Sequence, residues 1–317
     1  MNNLSLTACS IWLREKMPKG KKNEIKIMNL NKKITGNEKE YSDFFELLNN
    51  FCIKHSKRFI MNDYEQKMFK IETEKIKIEE NEKFRYTYID INSGGYGIEA
   101  NIVNTKTNKV LYTRKKEHAE TIHFRVFFAV PKGGDVCKGI IIFQNIGQYG
   151  IKTITTDYLR KYINDELNLY TTTGNICPQV FVKKLLDNDG LMKIIYTRNN
   201  VSNDKADTDS MGYGKEERII AGFSNVKKWK EKISGYFNGT SRIYEFEDID
   251  YSGVKFVTSI YGRTRTININ NINNLSIIEG IPDEVVNAFG DIDDEKLKNH
   301  FIEITKEYLE HMVYNKI

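Results

Sequence analysis

One stretch of the sequence constrains the fold more than any other, and it runs from Thr121 to Thr153. Two strongly apolar runs, Ile122–Val130 and Ile140–Phe143, flank a turn that is rich in proline and glycine. Apolar runs this short, rich in Phe, Val and Ile and bounded by turn residues, are typical of strands buried on both faces. The stretch therefore predicts a hairpin at the centre of the core.

A glycine-rich segment, Gly147 to Gly150, follows the second run and precedes a predicted helix. Free backbone N–H groups at a helix start, with Lys152 beside them, suit an anion such as phosphate. The segment is not a P-loop, because Ile151 separates Gly150 from Lys152. Gly-x-x-Gly is also the spacing with which KH modules clamp a nucleic-acid backbone, although that loop joins two helices. The alternative is a tight turn between a strand and a helix.

The rest of the chain mixes many strands with a few helices. Period-two alternation over residues 57–130, with Asn and Gly between the runs, predicts an antiparallel meander. Apolar residues three and four apart predict an early helix over Tyr41–Lys54 and a long terminal helix over Asp294–Tyr314. We expect an α+β fold of mostly antiparallel sheets with packed helices. We divide it into a β-rich domain over 1–170 and an α+β domain over 171–317.

Composition narrows the class of protein. The 317 residues are 40% hydrophobic and 29% charged, which is the balance of a soluble globular chain. We expect no membrane span and no secretion signal, since no run of about 18 apolar residues occurs and the N-terminus lacks the signal-peptide order. The four cysteines, Cys9, Cys52, Cys137 and Cys177, are far apart, which favours reduced thiols in a cytoplasmic protein over a zinc site. We expect no metal and no cofactor.

Basic residues are grouped rather than evenly spread, in a chain of net charge +5. If the groups share one face, they form a surface that follows a phosphate backbone. Each group has the alternative of being a solvated turn. The candidate nucleic-acid-binding residues are Lys19, Lys21, Lys22, Arg114, Lys115, Lys116, Gly147, Gly150, Lys152, Lys228, Arg263 and Arg265.

Catalytic patterns are weaker. Asp90 and Glu99, on adjacent predicted strands, have the layout of a metal-dependent nuclease, but Asn101 stands where the lysine of that motif belongs. The alternative is that both carboxylates lie on the surface of a hairpin. His123 and Arg125 fall on one face of a buried strand, where they form either a core pair or a phosphate-facing pair.

The order of elements resembles that of Rex-type phage-exclusion DNA-binding proteins over about a quarter of the chain. The matching stretches are Ala8–Arg14, Pro18–Lys22, Ile25–Leu30, Tyr41–Lys54 and Asp294–Tyr314. They give a strand, a Lys/Gly-rich turn, a second strand, an amphipathic helix and a long last helix. The resemblance implies a cytoplasmic, dimeric, non-enzymatic DNA-binding protein of bacterial phage defence that works with a partner at the membrane.

We therefore expect a non-enzymatic protein that binds the phosphate backbone of duplex DNA with little sequence specificity, in a bacterial phage-defence setting. The expected partners are DNA, a second copy in a homodimer or higher oligomer, and a membrane protein. The alternatives are a metal-dependent nuclease that uses Asp90 and Glu99, and a protein-interaction subunit of a defence complex.

Overall fold

The computed structural model describes residues 4–16, 26–147, 149–187, 190–199, 215–223, 226–237, 253–271, 274–286 and 292–311. Within these ranges the chain has the expected α+β fold, with predominantly antiparallel strands and a long last helix. The helices are α1 (Phe44–Ser56), α2 (Lys152–Leu167), α3 (Gln179–Asp187), α4 (Val226–Phe237) and α5 (Asp294–His311). The strands are β1 (Leu4–Glu15), β2 (Ile34–Gly36), β3 (Lys39–Tyr41), β4 (Ile60–Asn62), β5 (Lys67–Ile71), β6 (Glu79–Glu80), β7 (Phe84–Gly95), β8 (Ala100–Val103), β9 (Val110–Arg114), β10 (Glu120–Pro131), β11 (Gly139–Ile146), β12 (Tyr149–Gly150), β13 (Leu169–Asn175), β14 (Leu191–Asn199), β15 (Lys215–Ala221), β16 (Gly253–Ile260), β17 (Arg263–Asn271) and β18 (Asn274–Gly280).

The described residues form two compact units. The N-terminal unit is built from residues 10–173, and the C-terminal unit from residues 174–311 together with residues 4–9. Strand β1 contributes to both units, since its first half belongs to the C-terminal unit and its second half to the N-terminal unit.

The sheet of the N-terminal unit is organised around the predicted central hairpin. Strands β10 and β11 pair antiparallel, and the sheet continues from β10 through β7 and β5 to β4. Phe124, Val126–Val130 and Ile140–Phe143 are buried and Arg125 is half-buried, so most of both apolar runs lies in the core. Strand β7 pairs with β10 over twelve residue pairs, which makes these two strands the centre of the sheet in this unit.

Gly94 in β7 serves strand packing rather than a turn. The cluster Ser93–Gly97 has the composition of a turn, yet Ser93, Gly94 and Gly95 are the last residues of β7. A Cβ on Gly94 would lie 1.7 Å from the carbonyl oxygen of Glu120 on β10. The residue is a glycine because the two backbones approach too closely for a side chain.

Helices α1 and α2 pack on one face of this sheet. Phe44 of α1 contacts Phe128 of β10, and Tyr158 of α2 stacks on Phe69 of β5 with ring centroids 5.0 Å apart. Helix α1 begins after Asp43, whose Oδ1 accepts a hydrogen bond from the N–H of Glu46 at 2.9 Å. The Glu46 carboxylate in turn accepts from the N–H of Ser42, so the two side chains satisfy two backbone N–H groups at the start of the helix.

The predicted second strand, Ile25–Leu30, is confirmed in part within the described residues 26–30. Ile27 forms an antiparallel bridge with Arg14, and the N–H groups of Glu15 and Met28 donate to the carbonyl oxygens of Lys26 and Leu13. Leu30 and Asn31 bond instead to the carbonyl oxygens of Val136 and Pro131. The pairing with β1 is therefore short, and the hairpin β2–β3 follows.

The C-terminal unit contains an antiparallel sheet in the order β15-β14-β16-β17-β18, which the first half of β1 extends beside β18. Helix α5 is joined to this sheet through a buried polar network. Arg265 donates from Nε to both carboxylate oxygens of Glu279 at 2.9 Å, and Tyr308 of α5 donates to Glu279 Oε1 at 2.7 Å. Arg265, Glu279 and Tyr308 are all fully buried. Their mutual hydrogen bonds offset the large cost of burying these polar groups.

Candidate nucleic-acid interface

Strands β8 and β9 form a two-stranded antiparallel ribbon that belongs to neither large sheet, and we call residues 98–118 the arm. Its tip is a tight turn around Asn104, whose Oδ1 accepts from the backbone N–H groups of Lys106 and Thr107 at 2.9 and 3.0 Å. The backbone N–H of Asn104 also donates to the carbonyl of Lys109. The side chain of Asn104 therefore fixes the turn, and the arm has a defined end.

The arm is exposed on both faces of its two strands. Six large apolar side chains along it are 43 to 65% exposed. These side chains are Ile98, Ile102, Val103, Val110, Leu111 and Tyr112. A two-stranded ribbon gains little stability alone, so an exposed ribbon that carries apolar residues is typical of a contact surface.

Uncompensated positive charge concentrates on the same arm. Between residues 98 and 118 the sequence has five basic residues against two carboxylates. Lys106, Lys109, Lys115 and Lys116 are exposed, and none has an ion pair with any described residue. Several lysines of the body differ, since Lys39 and Lys54 pair with Glu166, and Lys70 pairs with Glu72. The arm thus presents free ammonium groups at its tip and at its root.

The root of the arm is held in place by Arg114 and His118. Arg114 donates from Nη1 to Glu120 at 3.1 Å and from Nε to the carbonyl of Ile98 at 3.3 Å. Tyr112 hydrogen-bonds to Nδ1 of His118 and stacks on its ring. Arg114 is only 14% exposed. Its primary role here is to fix the root, while Lys115 and Lys116 are the groups free to meet an anion.

The predicted glycine loop is a hairpin turn. Strand β11 continues to Ile146, which pairs with Tyr149 of β12, and Gly147 between them has a φ of 59°. A glycine adopts this left-handed conformation without strain. Helix α2 then begins at Lys152 after Ile151, with no side-chain cap. The segment is thus the turn of the β11–β12 hairpin just before helix α2, and phosphate binding at it stays a prediction.

The structure brings two of the predicted groups together. Arg114 and Gly150 line the same cavity in the N-terminal unit, and Tyr149 lies beside them. Lys152, the first residue of α2, is half-buried. Arg114 and the glycine turn, which are more than 30 residues apart in sequence, therefore meet at the root of the arm.

The predicted residues of the C-terminal unit have other environments. Lys228 is exposed on α4. Arg263 is the first residue of β17 rather than part of a turn, and its guanidinium donates to Glu303 at 2.6 Å and to Glu307 at 3.0 Å.

Arg265 was expected to contact phosphate, and the structure corrects this expectation. Its side chain is 0% exposed, and its guanidinium bonds to Glu279, to Glu307 and to the carbonyl of Ile260. An external anion has no access to a guanidinium that is buried and already paired with two carboxylates.

Lys19, Lys21 and Lys22 lie outside the described residues.

The arrangement expected for a nuclease is also corrected. Asp90 lies in β7, whereas Glu99 is an exposed residue just before β8, and these strands belong to different sheets. Asp90 is engaged by His123, whose Nε2 is 3.1 Å from its Oδ1, and Arg125 approaches to 3.9 Å. In the part of the chain that the structure describes, no three His, Cys, Asp or Glu side chains are grouped to hold a metal ion.

Sequence reasoning missed the two lysines at the tip of the arm, Lys106 and Lys109. The available signal was the polar run Asn104–Lys109 between Val103 and Val110, which is typical of a hairpin turn. That signal predicts a turn but says nothing about its exposure.

A comparison with models of protein families, with curated proteins and with solved structures finds no match for this chain. Among the described residues, no helix is both long enough and apolar enough to cross a membrane.

Proposed function

We propose that this protein binds duplex DNA through the arm, mainly by contacts of its lysines with the phosphate backbone. The observation that carries the proposal is the exposed ribbon β8–β9 with four unpaired lysines at its two ends. The major groove, about 12 Å wide, admits a two-stranded ribbon. Phosphate contacts of this kind give affinity without sequence information.

The length of the ribbon suits this role. Strand β9 has five residues, so Lys109 and Lys115 on either side of it are six steps apart, which at about 3.4 Å per step is about 20 Å. That span is enough for Lys106 and Lys109 to meet one phosphate strand and for Lys115 and Lys116 to meet the other. Asn101, Tyr112 and Thr113 between them contact the groove.

The element-order resemblance adds a bacterial phage-defence setting to the proposal. The geometry of the arm supports DNA binding and has no bearing on that setting. The oligomeric state and the membrane partner implied by the resemblance belong to the same proposal.

The test is the affinity for a labelled duplex as a function of salt concentration, with magnesium present and absent. The logarithm of the association constant falls by about 0.9 per phosphate contact for each logarithmic unit of salt. Changing Lys106, Lys109, Lys115 and Lys116 together to alanine should therefore reduce the salt slope by about 3 to 4 and weaken binding equally for unrelated sequences.

The matched control changes four other exposed lysines, Lys57, Lys75, Lys161 and Lys183, to alanine. This variant has the same net charge as the arm variant and should bind like the wild type to within a factor of about three. Equal weakening in both variants would show that net charge and not the arm governs binding. Loss of intact duplex only when magnesium is present would favour the nuclease.

A protein-interaction subunit is the second candidate, and the apolar side chains of the arm favour it. In that case the face of the ribbon that carries Ile102 and Tyr112 would contact another chain. Changing Ile102 and Val110, which is on the same face as Tyr112, to serine should then abolish a stable complex, while the four-lysine variant keeps it.

A further inference from the structure

A cavity of about 510 Å³ lies at the root of the arm, within the N-terminal unit. Its floor is formed by β5, β7 and β10, and its rim by the root of the arm and by Tyr149. A volume of this size is ordinary for small-molecule sites. The cavity is separate from the exposed lysines that carry the proposed DNA contact.

The floor of the cavity has a slot between the positively charged side chain of Lys67 and the negatively charged side chain of Glu120. Gly95 of β7 pairs with Lys67 of β5 on one side and with Glu120 of β10 on the other. Residues directly opposite each other share a face of the sheet, so the side chains of Lys67 and Glu120 stand on the same face with only a hydrogen between them. Two strand spacings separate their Cα atoms by about 10 Å.

Packing does not require a glycine at position 95. A Cβ there would meet no atom nearer than the carbonyl oxygen of Gln66, at 3.9 Å. Neighbouring Gly94 differs, because its Cβ would lie 1.7 Å from Glu120 O. The open space above Gly95 is therefore a property of the cavity and not a by-product of close strand packing.

The charges of the lining are balanced. Lys67 lies 3.3 Å from Glu65, and Arg114 lies 3.1 Å from Glu120. A polyphosphate or nucleotide would meet both carboxylates as well as both cations, so it gains little here. A ligand that carries one charge of each sign is matched by the same lining, and Phe124 and Ile122 offer an apolar wall to its body.

We propose that this cavity binds a small zwitterion with an apolar body, of the free amino-acid class. The ligand carboxylate faces Lys67, and its ammonium group faces Glu120 on the other side of the slot. Its side chain lies against Phe124 over the open space above Gly95. Charge-assisted hydrogen bonds at both ends give the site its selectivity.

The test measures binding of L-phenylalanine and L-leucine by calorimetry and by thermal stabilisation. A concentration of about ten times the dissociation constant should raise Tm by about 2–4 °C. N-acetyl-L-phenylalanine lacks the ammonium charge and L-phenylalaninamide lacks the carboxylate. Each should bind at least tenfold more weakly than L-phenylalanine.

Two variants locate the site. Gly95→Leu fills the slot and should abolish binding, whereas Gly134→Leu, at a glycine whose Cβ would meet no atom within 4 Å, should bind normally. Glu120→Gln changes a carboxylate that is 70% exposed, so it keeps the fold and should weaken L-phenylalanine at least tenfold. Failure of both amino acids to bind in the millimolar range would overturn the proposal, as would unchanged affinity in Glu120→Gln. DNA affinity is measured separately, and its loss or retention leaves this result unaffected.

Discussion

Arg263 and Arg265 show that the sequence gives the charge of a residue but not the partner that neutralises it. They share one face of β17, and both donate to Glu307 on α5. The sequence pattern Arg-Thr-Arg indicates positive charge but not that a helix some 40 residues later supplies the carboxylates that neutralise it. Such long-range pairing is invisible to local spacing, so Arg265 was wrongly assigned to phosphate contact.

A buried histidine on the same helix makes stability depend on pH. His300 is 5% exposed, and its Nε2 has no hydrogen-bond partner among the described residues. Burial, reinforced by the charge of Arg263, lowers the pKa of His300 to about 4 from its ordinary 6.5. Between these pH values the unfolded chain binds a proton that the folded chain does not, so the free energy of unfolding falls as the pH falls from 6.5 to 4. The full loss is about 3 kcal/mol.

Chemical denaturation at pH 7 and at pH 4.5 tests this prediction. His300→Gln should remove most of the pH dependence, whereas His118→Gln should retain it. An identical loss of stability in His300→Gln and the wild type would mean that other groups cause it.

At the scale of elements, period-two alternation predicted strand β7 and the continuous apolar runs predicted strands β10 and β11, because the burial of these strands follows from their own composition. The same pattern placed β8 and β9 in the meander, which is wrong. Ile102, Val110, Leu111 and Tyr112 have the composition of a buried strand, yet β10 pairs with β7 over its whole length and β5 occupies the other edge of β7. With both edges of β7 taken, the hairpin between β7 and β10 leaves the sheet as the arm.

Helix α1 offers an element-scale prediction. Asp43 caps the helix through the N–H of Glu46, and its Oδ2 also accepts from Nη1 of Arg85 at 2.7 Å. Asp43→Ala removes both contacts and should lower the free energy of unfolding by about 2 kcal/mol in a urea titration. Ser42→Ala keeps the backbone N–H that bonds Glu46 and should change it by less than about 0.5 kcal/mol. Equal effects of the two substitutions would contradict the capping role of Asp43.

At the scale of the whole molecule, the fold class and the central hairpin were predictable, because both follow from local hydrophobic patterns. The unit to which the first residues belong was not predictable. Leu6 pairs with Glu279, so residues 4–9 join the C-terminal unit although they begin the chain. The candidate site was predictable in part: Arg114, Lys115, Lys116 and the glycine turn were named from sequence, while their meeting at the root of an exposed arm depends on strand pairing.

The central claim is that the arm meets the DNA, and photo-cross-linking tests it most directly. A benzophenone amino acid replaces Thr107 at the tip of the arm, and in a control protein it replaces Lys57 at an exposed position on the body. After irradiation with a labelled duplex at low salt, the account predicts a covalent protein–DNA product from position 107 that disappears as salt is raised, and little or none from position 57. Binding of the duplex with no product from position 107, or with equal products from both positions, would contradict it.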